Sequence, residues 1–220
     1  MRVYLIWGGG GHGKVVADLV RAAGHLVGGF VDADLRKAGL RVEPGGGRVM
    51  LEEADFLLRL DRGEALPDGY DAVALAIGAS RRRLEYLEQL HAVSVPALVH
   101  PSAVLSPSVS LGRGTVVFPG ALINADTKVG RGVIVNTGAI VEHDCEIGDG
   151  VHLSPRATIA GGVRVGRGSW IGTGATVVQG IRIGVDTVVG AGAAVIRDVE
   201  DGETVVGVPA RPIRSSGGKR

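Results

Sequence analysis

His143 stands between two carboxylates, Glu142 and Asp144, and His152 follows nine residues later. A carboxylate beside an imidazole orients the ring and raises its basicity, which makes a general base for a weak nucleophile such as an amine or a hydroxyl. The same cluster is equally at home as solvated surface charge, and the residues alone leave both readings open. Near the N-terminus, residues 8–13 read Gly-Gly-Gly-Gly-His-Gly, with Lys14 behind them and Asp32 further on. Glycines there let a backbone approach a phosphate, and a helix starting near Gly13 would aim its free N–H groups and positive dipole at it. The stretch fits G-x-G-x-x-G, with Asp32 placed to bond a ribose or a base. It also nearly fits a P-loop, but Val15 occupies the place of the Mg²⁺-binding hydroxyl. A tight strand–helix turn without a ligand is the bland alternative; six residues of this composition exceed what a turn requires, so nucleotide binding is the expectation.

The elements that must position these residues have two different periods. Every sixth residue from Val99 to Val195 is aliphatic, and a small or β-branched residue follows four positions after each. Six matches neither a helix nor a strand, so this is a hexapeptide β-solenoid, each repeat giving one short strand and one corner. With three repeats per triangular coil, residues eighteen apart stack directly, at about 4.8 Å per coil. His143 and His152 both fall off the inward positions. Half a coil apart, they cannot lie one above the other, although a neighbouring subunit could bring them toward one site. Cys145 holds a small inward position and reads as a buried hydrophobe rather than a nucleophile. A zinc site needs three histidines, and His100 lies several coils from the other two, so no metal is expected.

The first ninety or so residues alternate differently. Residues 3–7 form an apolar strand, 15–22 a helix closed by Gly24, and 26–31 a second strand ending at Asp32. A Gly/Pro-rich stretch at 43–47 precedes a helix over 51–60; residues 72–77 read as a buried strand ending at Gly78, and 81–90 as an exposed helix. This alternation predicts a small parallel α/β domain, half the size of a doubly wound sheet. The expected division is 1–95 for the α/β domain, 96–205 for the solenoid and 206–220 for a C-terminal tail.

Composition agrees with that plan. Of 220 residues, 45% are hydrophobic but only 4% aromatic, and 37 are glycine, as a narrow solenoid interior and its corners require. A net charge of +1 gives no nucleic-acid footprint. One cysteine excludes an internal disulfide, and no apolar stretch reaches membrane-spanning length, so a cytoplasmic protein is expected. The basic residues Arg211, Arg214, Lys219 and Arg220 read as solvated tail.

Several of these segments together resemble one family. The opening Gly-Gly-Gly-His-Gly-Lys-Val-Val, the strand end Phe30-Val31-Asp32, His100-Pro101-Ser102-Ala103, Asn136-Thr137 with Val141-Glu142-His143-Asp144-Cys145, and the terminal Gly207-Val208-Pro209-Ala210-Arg211 look like the left-handed β-helix sugar acyltransferases. The branch is that of the sialic-acid O-acetyltransferase-like proteins and the acetyltransferases of nucleotide-linked 4-amino sugars. The resemblance implies a left-handed coil, a homotrimer with sites between subunits, and acetyl-CoA as co-substrate. It implies His143 as general base and Asp144 as its polarising acid. His152, Gly161, Thr173 and Ala191 would lie along the acetyl-CoA arm, with Arg211 and its neighbours reaching the CoA phosphates. Gly11, His12, Gly13, Asp32 and Gly78 would hold the sugar nucleotide. Asp32 is followed by Ala33 and then Asp34, where relatives often carry two adjacent acids, so the base is left open. The implied reaction is acetylation of a nucleotide-linked amino sugar in cell-surface glycan synthesis, by direct attack on the thioester. Transfer to a hydroxyl, transfer to a free small metabolite, and a non-catalytic trimeric sugar-nucleotide sensor remain alternatives.

Overall fold

A computed structural model describes residues 1–34 and 49–213. The stretch 43–47 and the tail residues Arg214, Lys219 and Arg220 lie outside the described residues.

The N-terminal part runs β1 (Val3–Trp7), α1 (Gly11–Ala22), β2 (Leu26–Asp32), β3 (Val49–Glu52), α2 (Glu53–Asp61), β4 (Ala72–Leu75) and α3 (Ser80–Gln89). Its four strands pair in parallel in the order β3-β2-β1-β4. Because successive strand side chains point to opposite faces, β1 feeds two cores. Tyr4 and Ile6 pack with Val16, Leu19 and Phe30, and this cluster continues into Leu98, Val116, Phe118 and Ile134 of the solenoid. Leu5 and Trp7 pack on the other side with Val31, Phe56, Tyr86 and Leu87. Two details differ from the sequence reading. The helix α1 begins at Gly11, so Gly11, His12 and Gly13 form its first turn rather than a loop before it. The helix expected over 51–60 is preceded by a fourth strand, whose short apolar run has no period to separate it from the helix that follows.

From Leu98 onward the chain winds as strands of two or three residues, which stack into sheets of eight, six and five strands, all parallel except the last strand of the eight, Arg211–Pro212. The register is eighteen residues as far as Ala194–Val195, for example Val135 on Val117 and on Leu153, and sixteen in the last parallel pair, Val188 on Thr204. The inward aliphatics form one continuous buried column from Val117 to Val205. Buried Thr and Ser rungs tie one coil to the next, as where Thr115 Oγ1 donates to the Gly130 carbonyl (2.7 Å) and accepts from the Val133 amide (3.1 Å).

The helix α3 is not exposed as its charge pattern implied. Arg83, Leu84, Tyr86 and Leu87 are buried, because α3 sits between the parallel sheet and the solenoid. Its leucines occupy space left by corner glycines: a side chain at Gly150 would place its Cβ 2.6 Å from Leu84 Cδ1. Arg83, 1% exposed, donates to the carbonyls of Ile77 and Gly78 on one side and of Gly132 and Gly150 on the other, at 2.6–2.8 Å. Arg113 answers from the solenoid, bonding the carbonyls of Leu87, Leu90 and Val93.

Candidate active site

His143 occupies the corner that joins the six-stranded face, through Ile140–Val141, to the five-stranded face, through Glu146–Ile147. Thr127 fixes both ends of this turn: its Oγ1 donates to the Glu142 carbonyl (2.8 Å) and accepts from the Cys145 amide (3.1 Å). Asp144 takes a left-handed conformation (φ 59°), which Asp tolerates better than most residues. Its Oδ2 lies 2.8 Å from His143 Nδ1. One coil above, Gly161 gives the imidazole its place; a Cβ there would lie 2.7 Å from both Nε2 and Cε1. One coil below, Asn124 donates to Glu142 Oε2 (2.7 Å). The hydrogen bond to Asp144 holds the His143 pKa above the ordinary imidazole value, and the charges of Asp144 and Glu142 add to this. With the proton held at Nδ1, Nε2 is the atom that can accept another. Cys145, immediately beyond, is buried with its thiol donating to the Ala160 carbonyl (3.2 Å), and burial pushes that thiol up. It is a packing residue.

His152 belongs to a different surface. It pairs in register with Ile134 below and Trp170 above on the eight-stranded face. The imidazole and indole lie parallel (3°) with centroids 5.4 Å apart, and Trp170 Nε1 donates to Ser154 Oγ (2.6 Å). Asn136 Oδ1 accepts from the Thr137 amide, which turns its Nδ2 toward His152 Nε2 at 3.3 Å. Beside this stack lies a shallow slot of about 250 Å³, lined by Ser154, Trp170, Thr173, Val188, Ala191 and the small Gly172 and Gly190. Thr173 and Ala191 thus fall together, whereas Gly161 belongs with His143. Within one chain, the His143 corner and the His152 slot face different directions.

The glycine loop opens onto a third feature, a cavity of about 360 Å³. Gly8, Gly10, Asp32 and Gly78 line it, and so do Glu53, Ala79 and Arg82. Asp32 accepts from the amides of Gly9 (2.6 Å) and Asp34 (2.8 Å), so it braces the loop as well as lining the cavity. Glu53 is held beneath by Trp7 Nε1 (2.8 Å) and Tyr86 Oη (2.7 Å), and by Arg82 (2.9 Å). His12 is turned toward the junction with the solenoid, its ring 5.6 Å from that of Phe118. Burial and the nearby Arg83 lower its pKa to about 4. His152 is lowered to about 4 by burial, with Arg83 and His12 contributing. His12, Arg83 and His152 therefore form one interdomain group.

Several of these residues escaped the sequence reading. Trp170 carried a signal, being one of two tryptophans and standing one coil after His152 at an outward position. Asn136 entered only as part of a family motif, and Ser154, Glu53 and Arg82 had none that a single sequence shows. Arg83 is hidden among three consecutive arginines, of which only it is buried. Among the described residues no group of three or more His, Cys, Asp or Glu is arranged to hold a metal ion, and no helix is long and apolar enough to cross a membrane.

Comparison with known proteins bears on this arrangement. Residues 4–90 match the PglD N-terminal domain model, and residues 126–161 the bacterial transferase hexapeptide model of six repeats. The chain is 40% identical, over 96% of both chains and with a TM-score of 0.83, to GDP-perosamine N-acetyltransferase from Caulobacter crescentus. That protein was solved with one histidine replaced by alanine, in complex with CoA and GDP-perosamine. This chain belongs to the left-handed β-helix family of nucleotide-amino-sugar N-acetyltransferases. The acetyltransferase domain of PglB from Neisseria gonorrhoeae FA1090, in complex with acetyl coenzyme A, is 39% identical with a TM-score of 0.84, covering 96% of this chain and 99% of that one. WeeI from Acinetobacter baumannii AYE is 30% identical with a TM-score of 0.82, covering 97% and 100%. No curated protein sequence matches the chain.

Proposed function

We propose that this chain transfers an acetyl group from acetyl-CoA to the amine of a nucleotide-linked amino sugar, in the cytoplasm, as a step in cell-surface glycan synthesis. The observation that carries the reading is the His143–Asp144 pair at 2.8 Å, with Nε2 placed over a glycine that leaves it room. Asp144 keeps the proton on Nδ1; the sugar amine nitrogen attacks the thioester carbonyl carbon as His143 Nε2 takes its proton, the C–S bond breaks, and that proton passes to the departing sulfur so that CoA leaves as the thiol. Cys145 is buried and its thiol disfavours ionisation, so direct transfer is preferred to an acyl-enzyme at this corner.

Acetyl-CoA, when bound, supplies the acetyl thioester. The narrow slot floored by Gly172 and Gly190 and walled by Trp170, Thr173 and Ala191 fits its thin arm. The cavity at Gly8, Gly10 and Asp32 suits a nucleotide; Gly11, His12 and Gly13 do not line it, but the positive end of α1, which begins at Gly11 after the lining residue Gly10, favours its phosphates. In this reading residues 1–95 hold the sugar nucleotide, 96–205 perform transfer, and 206–220 form a tail whose Arg211 reaches toward the CoA phosphates.

A homotrimer completes the site. The His143 corner and the His152 slot face apart in one chain, so a neighbouring copy must bring them together. The outward residues of the six-stranded face, including Val104, Leu122, Ile140, Thr158, Thr176 and Ala194, are uncharged. Those of the five-stranded face include Lys128, Glu146, Arg164 and Arg182. The uncharged surface is the one that a second copy covers at least cost.

The test is mass spectrometry of the purified protein with acetyl-CoA and a panel of UDP-, GDP- and dTDP-linked amino sugars. One panel member gains an acetyl group. His143→Ala lowers turnover by about 10²–10⁴-fold while calorimetric CoA binding is retained. Unchanged turnover in that variant overturns the assignment of the base, and acetylation of a hydroxyl alone overturns the amine.

A further inference from the structure

The chain is poor in aromatics, yet half of the Trp170 side-chain surface faces outward on the solenoid. Among the described residues it is the bulkiest apolar side chain that the solenoid exposes. Its geometry is also more constrained than exposure alone would give. One ring face is stacked on His152, and the indole N–H is tied at 2.6 Å to Ser154, which is itself 3% exposed. The stack and the hydrogen bond together fix the ring plane. That leaves its remaining surface as the wall of the slot that Thr173, Val188 and Ala191 complete.

We infer that Trp170 binds and positions the acyl donor: the thioester arm packs against the indole, and the stack fixes the His152 ring beside it. The inference rests on the acetyltransferase reading and deepens it by naming the residue that sets donor affinity. The chemistry recognised is a thin, largely apolar chain carrying amides, for which a rigid aromatic wall and small facing residues provide contact without a side-chain entropy cost. His152 Nε2 is already engaged by Asn136, and burial keeps the ring neutral. The stack therefore presents an uncharged surface to an uncharged arm. Proton transfer stays with His143 at the other corner.

The molecule carries its own reporter for this. Its second tryptophan, Trp7, is fully buried in the N-terminal sheet and stacked on Tyr86, away from the slot. Titrating the full-length protein with CoA should change tryptophan emission, and in Trp170→Phe the emission left, that of Trp7, should not respond. Trp170→Ala should raise the KM for acetyl-CoA about tenfold or more, with the KM for the sugar nucleotide unchanged within about twofold. Trp170→Phe, which keeps a ring face but loses the bond to Ser154, should recover most of that loss. A merely structural tryptophan would shift both KM values, or neither. If Trp170→Ala does not fold, the wild-type and Trp170→Phe titrations decide the matter. CoA binding seen by calorimetry with an unmoved Trp170 emission, or an unaltered acetyl-CoA KM, overturns the inference while leaving the acetyltransferase reading intact. Absence of CoA binding in the wild type overturns both.

Discussion

At the scale of single residues, the atom proposed to take the proton is defined by what its neighbours leave free. Asp144 occupies His143 Nδ1, Gly161 withholds a side chain from the space beside Nε2, and Thr127 keeps the turn from opening. Because the Asp144 bond raises the His143 pKa, the proposed base should be lost as pH falls through a value above that of an ordinary imidazole. In Asp144→Asn the charge goes and the acid limb of kcat/KM should move to lower pH, while the plateau falls because the imidazole is a weaker base. A pH–rate profile of the two proteins checks this, and an unmoved limb would remove Asp144 from the role. The outward position of His143 was legible in the sequence because a strict six-residue period marks inward positions, so a residue off the pattern stands out. The support beneath it was not. Nothing in the types of Thr127 or Gly161 separates a residue that holds a base from one that merely turns a corner.

At the scale of elements, the solenoid was readable because each coil repeats one local rule, inward aliphatic and permissive corner, with no need to know what lies elsewhere. The helix α3 was not readable for the opposite reason: its burial depends on two partners distant in sequence, and Arg83 looks as solvated as Arg81 and Arg82 until the solenoid is laid against it. The early start of α1 has a similar cause, since glycines give no propensity signal for a helix and only packing selects it here. That start places His12 at the junction, where it and His152 are held neutral with pKa values near 4. Both values are lowered relative to an unfolded histidine, so the unfolded chain binds more protons between about pH 6.5 and pH 4. Stability is then full above about 6.5 and declines as pH falls toward 4, by on the order of 3 kcal/mol for each ring. Thermal unfolding followed from pH 7.5 to pH 5 should show the decline, and His12→Phe should remove about half of it, leaving the share of His152. A wild-type Tm independent of pH over that range would contradict the buried, neutral assignment.

At the scale of the whole molecule, two architectures of unlike period are joined by a shared apolar cluster and by two arginines, of which Arg83 is the more buried. Arg83 satisfies carbonyls from the N-terminal part and from two successive coils, and burial lowers its pKa only to about 10, so it stays charged. Arg83→Met should cost about 3–5 kcal/mol, since it strips a charged donor from buried carbonyls. It should also split a single calorimetric transition into two, with the solenoid melting later; a single transition at the wild-type temperature would show that the apolar junction suffices. The far end of the solenoid is closed differently. Thr204–Val206 continues the parallel stack, but Arg211–Pro212 turns back antiparallel along it, and the Ala210 amide bonds the Ala194 carbonyl on the adjoining face. A column of identical parallel rungs is in effect a polymer with a free growing end. The reversed rung, with a proline that has no amide hydrogen to offer, is its chain terminator. The molecule thus keeps a fibre's lateral bonding within a stack whose last rung runs the other way.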